Sequence, residues 1–139
     1  MLNKVSIGYN QKTNIMLTTY KAEFVPKILD GSKIHTIRED KHNRYKVGVT
    51  LHQWKGNPRN VRNDPYHFAT AKCESTQQIL ILFKNALRVE VLVDNRYLNP
   101  VEIEELAKND GFTSSYELFK WFNFEDFKGK IIHWTDKRY

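Results

Sequence analysis

Leu87-Arg88-Val89-Glu90-Val91-Leu92-Val93 sets the apolar residues Leu87, Val89, Val91 and Val93 at every second position, with charged Arg88 and Glu90 between them. A period of two is the mark of a strand with one face on a core and the other toward water, the usual state of antiparallel sheet. Ile34–Arg38, Val49–Trp54, Phe68–Cys73 and Ile79–Phe83, earlier in the chain, are rich in β-formers, as is Lys130–Thr135 after Gly129. On the other side, Asn99-Pro100-Val101-Glu102 offers an Asn cap, Pro at the first helical position and Glu three residues past the cap. Ser114-Ser115-Tyr116-Glu117 repeats the device ahead of an apolar stripe of Leu118, Phe119, Trp121 and Phe122, read as core. Pro26 near the start of Phe24–Asp30 and Gly31 just past its end predict a further short helix.

Strands outnumber helices and do not alternate with them, so a doubly wound parallel fold is disfavoured. The expected architecture is α+β: one small, mixed or mostly antiparallel β-barrel or sheet with strands from 34–54, 68–94 and 130–135. Helices over 100–108 and 115–122 flank it. The 139 residues suit one domain, spanning 1–139, with an ordinary core, and 40% apolar with 27% charged residues is a globular composition.

Cys73, the single cysteine, excludes an intrachain disulfide framework and a multi-thiolate zinc site, and its strand-like neighbours mark it as a buried thiol. The longest apolar run, Ile79 to Phe83, is far short of the ~20 residues of a membrane helix. The first ten residues do not read as a signal peptide, so a cytoplasmic location is expected, with no membrane partner.

Charge is divided unevenly. Residues 1–62 hold twelve Lys and Arg against four acids, a balance of +8, whereas residues 63–139 hold ten against twelve, or −2. Such asymmetry points to an anionic partner facing the first half. Within that half, Gly31-Ser32-Lys33-Ile34-His35-Thr36-Ile37-Arg38-Glu39 is the most informative stretch. On a strand, Ile34, Thr36 and Arg38 share one face and His35 and Ile37 the other, with Lys33 at the helix-to-strand corner. Lys33 can swing there toward Thr36 and Arg38, placing an amine, a hydroxyl and a guanidinium in one small volume. An Arg so placed holds a carboxylate, phosphate or base edge bidentately, and a Lys of lowered pKa serves as base for a Thr nucleophile. The plainer alternative is a solvated Lys beside a strand Thr.

The segment 55–68 carries Lys55, Arg59 and Arg62 with Tyr66 and Phe68 among Asn, Pro and Gly. Arg59 and Arg62 suit phosphates, and Tyr66 or the preceding Trp54 suits stacking on an unpaired base. The same composition equally describes a long hairpin loop. The five histidines (His35, His42, His52, His67, His133) include no i, i+4 pair and no Cys partner, so zinc is disfavoured and no metal or other cofactor is expected.

The run Phe24…Ile28-Leu29-Asp30-Gly31-Ser32-Lys33-Ile34-His35-Thr36-Ile37-Arg38 resembles the signature of the ASCH domains, relatives of the PUA domains of RNA-modifying proteins. Arg44…Val47-Gly48…Leu51, Gln53-Trp54-Lys55-Gly56-Asn57-Pro58-Arg59, Leu106-Ala107…Asp110-Gly111-Phe112, Trp121-Phe122 and Gly129-Lys130-Ile131-Ile132-His133-Trp134 continue the resemblance over about residues 16–136. It implies a PUA-like small β-barrel, helices at its mouth, a cleft near the Lys-x-x-Thr-x-Arg strand, and a role in RNA or coactivator binding. Some ASCH proteins are acetylcytidine amidohydrolases, with the motif Lys as general base, its Thr as nucleophile and a later acid as proton donor. Those roles fall on Lys33, Thr36 and Asp110. The enzymes carry Glu where this chain has the shorter Asp110, and one lost methylene displaces a proton by about 1 Å, a shift that costs on the order of 10²-fold in rate.

The expected function is therefore binding of RNA or a nucleoside-like ligand in a basic cleft edged by Lys33, Thr36, Arg38 and Asp110, with Trp54, Arg59, Arg62 and Tyr66 as further RNA contacts. The enzymatic alternative is an amidohydrolase deacylating a modified nucleoside such as acetylcytidine. A third class, a protein-interaction adaptor, requires an exposed apolar patch.

Overall fold

The computed structural model describes residues 14–85 and 87–139, and among these eight strands fall into two sheets. The first sheet runs in the order β1 (Ile15–Tyr20), β3 (Thr50–Lys55), β4 (Tyr66–Lys72). The second runs β2 (His35–Arg38), β8 (Phe127–His133), β5 (Ser75–Asn85), β6 (Arg88–Val93), β7 (Arg96–Tyr97). The β1–β3 pair is parallel and the other pairs are antiparallel. The fold is thus mixed α+β and β-rich, but no closed barrel is found among the described residues. The chain passes from the first sheet to the second at Cys73-Glu74, whose amides bond to Val49 O and His133 O, one on each side.

The helices follow their sequence signals. α1 (Val25–Leu29), preceded by a 3₁₀ turn at Ala22–Phe24, carries Pro26 in its first turn. α2 (Pro100–Asn109) has the full capping box: Asn99 accepts from the Glu102 amide while the Glu102 side chain accepts from the Asn99 amide. α3 (Ser115–Trp121) is capped by Ser114, and the Ser115 amide donates to the Glu104 carboxylate at 2.7 Å, which locks α3 onto α2. No helix of the described residues is long and apolar enough to cross a membrane.

β8 shows why both faces of the second sheet are covered. Its successive side chains point to opposite faces. Ile131 joins Ile79, Ile81, Val91 and Val93 against Leu106, Ala107 and Leu118 of the helices, and Ile132 joins Tyr45, Val49, Leu51 and Cys73 on the side of the first sheet. Cys73 is the buried thiol expected of it.

Three expectations are corrected. Leu87 is not part of the inward stripe: it sits in the β5–β6 turn, 98% exposed, and β6 starts at Arg88. β1, outside the expected strand segments, supplies the edge of the first sheet. Ile34–Arg38 and Val49–Trp54 supply two separate strands as expected, β2 and β3, joined by a loop in which Asp40 and Asn43 adopt positive φ. The last strand begins earlier and ends earlier than Lys130–Thr135, because Gly129 is inside it. A Cβ at that position would lie 2.4 Å from Arg38 O, so glycine lets β8 approach β2 at the edge that carries the Lys-x-x-Thr-x-Arg motif.

Candidate functional site

Five stretches of chain close on one cavity of about 510 Å³: the Lys33–Arg38 corner and strand, the C-terminal end of α2, and the ends of β1, β3 and α3. The corner is docked on α1 and α2 by the backbone. Lys33 N donates to Lys27 O at 2.9 Å, and Ile34 N donates to Asn109 O at 2.8 Å. Two ammonium groups then meet the C-terminal carbonyls of α2, where the helix dipole favours cations. Lys27 Nζ donates to Gly111 O at 2.5 Å and Lys33 Nζ to Asp110 O at 2.6 Å. Gly111 makes this convergence possible. Its φ is +96°, and a Cβ there would stand 2.9 Å from Phe24 Cδ1 and 3.1 Å from Lys33 Cδ.

Lys33, only 3% exposed, also donates to Asp110 Oδ1 at 3.2 Å. Burial pulls the Lys33 ammonium below the usual lysine range, against the opposing pull of Asp110, while the Arg38 charge pushes the same way as burial. The same Oδ1 lies 3.0 Å from His35 Nδ1, and His35 Nε2 lies 2.7 Å from Tyr139 Oη. Burial lowers the His35 pKa, so the ring is neutral and its Nδ1–H donates to the carboxylate, which only accepts. Nε2 then accepts from the Tyr139 hydroxyl, whose oxygen accepts in turn from Asn109 Nδ2 at 2.9 Å. Asp110 is thereby fixed from the cavity side by Lys33 and from behind by a His–Tyr–Asn chain.

Thr36 and Arg38 share the cavity-facing side of β2, as strand alternation requires. Arg38 Nε donates to Thr36 Oγ1 at 3.0 Å, and a terminal guanidinium nitrogen donates to Thr19 O at 2.8 Å. Among the described residues no hydrogen bond joins Lys33 to Thr36; Lys33 is turned toward Asp110. The walls are aromatic. Phe24 meets Phe112 and Trp121 edge to face at centroid distances of 5.5 and 5.4 Å, and Arg38 Cζ sits 5.0 Å from the Tyr20 ring centre.

Lys33, Thr36, Arg38 and Asp110 therefore line one pocket. Trp54, Arg59, Arg62 and Tyr66 are not in its lining. Trp54 lies on the outer face of the first sheet, stacked on His67 at 5.7 Å. Arg59 and Arg62 are exposed in the β3–β4 connection, and Tyr66 is an exposed strand residue. That connection reaches the cavity through Lys55, Gly56 and Asn63 instead. Sequence reasoning missed Tyr20, Lys21 and Lys55 as wall residues, and Tyr139 altogether. It placed Trp121 in the core, yet Trp121 is 44% exposed at the end of α3 and only Leu118 of that stripe is fully buried. The spacing Tyr20-Lys21-x-x-Phe24, aromatics interleaved with a cation before a short helix, was the available signal. Among the described residues no group of three or more His, Cys, Asp or Glu side chains is arranged to hold a metal ion.

No family model, no curated protein and no solved structure matches this chain.

Proposed function

We propose that the chain is an ASCH-type, PUA-like domain that takes a nucleoside-like unit of RNA into the Lys33–Thr36–Arg38–Asp110 pocket. In this reading the two sheets, meeting across Leu51 and Ile132, form an opened version of the PUA-like barrel. The observation that carries the reading is the convergence of the local Lys33–Thr36–Arg38 group with Asp110, 77 positions on from Lys33, inside one aromatic-walled cavity. Its volume is within the roughly 300–1,000 Å³ of ligand sites. Flat aromatic walls suit a base, which stacks for about 1–3 kcal/mol, and Arg38 and Thr36 supply donors to base edges or phosphate. Titration of the protein with short single-stranded RNA at low salt, followed by tryptophan fluorescence, tests it. Saturable binding is expected, weakened about tenfold or more by Trp121→Ala and by Lys33→Ala. No binding at low salt to wild-type protein overturns the reading.

One observation favours the amidohydrolase as a second reading. Arg38 Nε already occupies a lone pair of Thr36 Oγ1, which stabilises negative charge growing on that oxygen, and Lys33 and Asp110 are one proton shift from a neutral amine beside a carboxylic acid. The neutral amine would take the Thr36 proton as Oγ1 bonds to the acyl carbon, and the acid would protonate the departing amine as the C–N bond breaks. Water then releases the acyl group. Incubation with acetylcytidine distinguishes the two readings. Release of free cytidine, lost in Lys33→Ala and Thr36→Ala, supports the enzyme, and intact substrate at high protein concentration removes it.

A further inference from the structure

We infer that the pocket selects a phosphorylated nucleotide over a neutral nucleoside, with the phosphate held at its rim by Lys21 and Lys55. This rests on the nucleoside-binding reading above and narrows its ligand. Five charged side chains line the cavity: Lys21, Lys33, Arg38, Lys55 and Asp110. Asp110 spends its charge on Lys33. Among the described residues no carboxylate lies within ion-pair distance of Lys21, Arg38 or Lys55. Three positive charges are therefore left without partners around a concave space walled by aromatic rings, where low dielectric and exclusion of water strengthen their field.

The positions of the cations divide the labour. Arg38 is committed on the inner side, bonded to Thr36 and to the Thr19 carbonyl. Lys21 is exposed and Lys55, like Arg38, half-buried, and both lysines are positioned rather than loose. Lys21 Nζ stands 4.9 Å from the centre of the Trp121 ring. Lys55 Nζ donates to the carbonyl oxygens of Asn63 and, at 3.1 Å, of Asp64, which uses two of its three donors and neutralises none of its charge. Tyr20 pairs with Lys55 across β1 and β3, which sets Lys21 and Lys55 at the same end of the first sheet, and a base stacked on the wall beside Trp121 would direct its attached phosphate toward that end. A phosphate carries about −1.5 to −2 charges near neutral pH when it is a monoester. A neutral nucleoside leaves all three cations uncompensated, whereas a nucleoside monophosphate offsets most of that excess. The unit comes either from a free nucleotide or from one residue of a single strand, since both present the same base, sugar and phosphate.

Calorimetric titration of wild-type protein with cytidine, cytidine monophosphate and a short single-stranded oligoribonucleotide at 50 mM salt tests this. Cytidine monophosphate is expected to bind at least tenfold more tightly than cytidine. In Lys21→Met with Lys55→Met, which keeps the aliphatic stems and removes both charges, that gap is expected to shrink below threefold. The control Lys41→Ala with Lys84→Ala removes the same net charge elsewhere and is expected to leave the gap intact. Equal affinities for cytidine and its monophosphate overturn the inference and leave the nucleoside reading standing, and so does a control that closes the gap as far as the rim variant. Binding of none of the three ligands removes the reading itself, and the inference with it. If the gap is present, an oligoribonucleotide tenfold tighter than the monophosphate identifies the strand as the source, and equal affinity identifies the free nucleotide; either result upholds the phosphate site.

Discussion

Two basic clusters of this molecule behave oppositely. At the helix-to-strand corner, Lys33 and Arg38 are each held by two hydrogen bonds, Lys33 is buried, and both face aromatic rings across a cavity. In the β3–β4 connection, Arg59 and Arg62 are exposed and point to no cavity lining. Both clusters looked like anion sites from composition. The difference shows that what makes a cation a site is the structure holding it. Charges in water are screened within about 8–10 Å, whereas charges fixed in a concave, partly dry volume act at close to full strength.

The largest expected effect comes from removing the counter-charge of the buried cluster. Asp110→Ala leaves the Lys33 amine buried without its partner and strands the His35 Nδ1–H, so a loss of about 3–5 kcal/mol is expected in chemical denaturation. Unchanged stability would mean that the Lys33–Asp110–His35 contacts do not hold the corner. Next is Gly111→Ala, which combines a left-handed φ with a Cβ at 2.9 Å from Phe24. A cost of about 1–3 kcal/mol is expected, with ligand affinity falling in parallel because Asp110 and Phe112 move with it. Tyr139→Phe keeps the ring and deletes the hydroxyl between His35 and Asn109. About 1–3 kcal/mol is expected to be lost, since the buried His35 Nε2 and the half-buried Asn109 Nδ2 lose their partner. The smallest effect is assigned to the exposed cluster. Arg59→Ala with Arg62→Ala is expected to stay within about 0.5 kcal/mol of wild-type stability and to weaken RNA binding only at low salt. Each phosphate contact so lost flattens the log–log salt dependence by roughly 0.7.

Acid separates the clusters in a different way. Burial lowers the His35 pKa, and burial, with Arg138 and any proton taken up by His35 opposing a further charge, brings the His133 pKa down to about 3. The unfolded chain then binds more protons than the native one below about pH 6.5, so stability is full above that value and falls as pH drops toward 3. A thermal midpoint that declines steadily below pH 6 is expected, identical in the Arg59/Arg62 double variant. A midpoint flat from pH 7 to 4 would contradict neutral, buried imidazoles.

The sequence made legible what local chemistry encodes. The Asn99 box fixed the start of α2, the alternation of Val89, Val91 and Val93 fixed β6, and the spacing of Lys33, Thr36 and Arg38 put them in one small volume, whereas Asp110 was reached only through the resemblance to a known family. Long-range pairing was not legible. β1 has polar Thr18 and Thr19 in its middle, and its partner β3 begins thirty-five residues later, so its strand character comes from neighbours rather than propensity. Leu87 fits the apolar alternation but falls where the β5–β6 chain reverses, and a turn residue keeps its exposure whatever its hydropathy. Tyr139 could not be linked to His35 because nothing local couples residues 104 positions apart. Trp121 was misplaced because a helix end permits exposure that a stripe pattern does not register.

Amide and indole NMR shifts of the labelled protein during titration with cytidine monophosphate compare the two clusters in one measurement. The expected result is movement of the Trp121 indole and of the Thr36, Arg38 and Gly111 amides, while the Trp54 indole and the Arg59, Arg62 and Tyr66 amides stay in place. Saturable shifts confined to Trp54, Arg59, Arg62 and Tyr66, with the pocket silent, would contradict a site built on the Lys33–Arg38 corner.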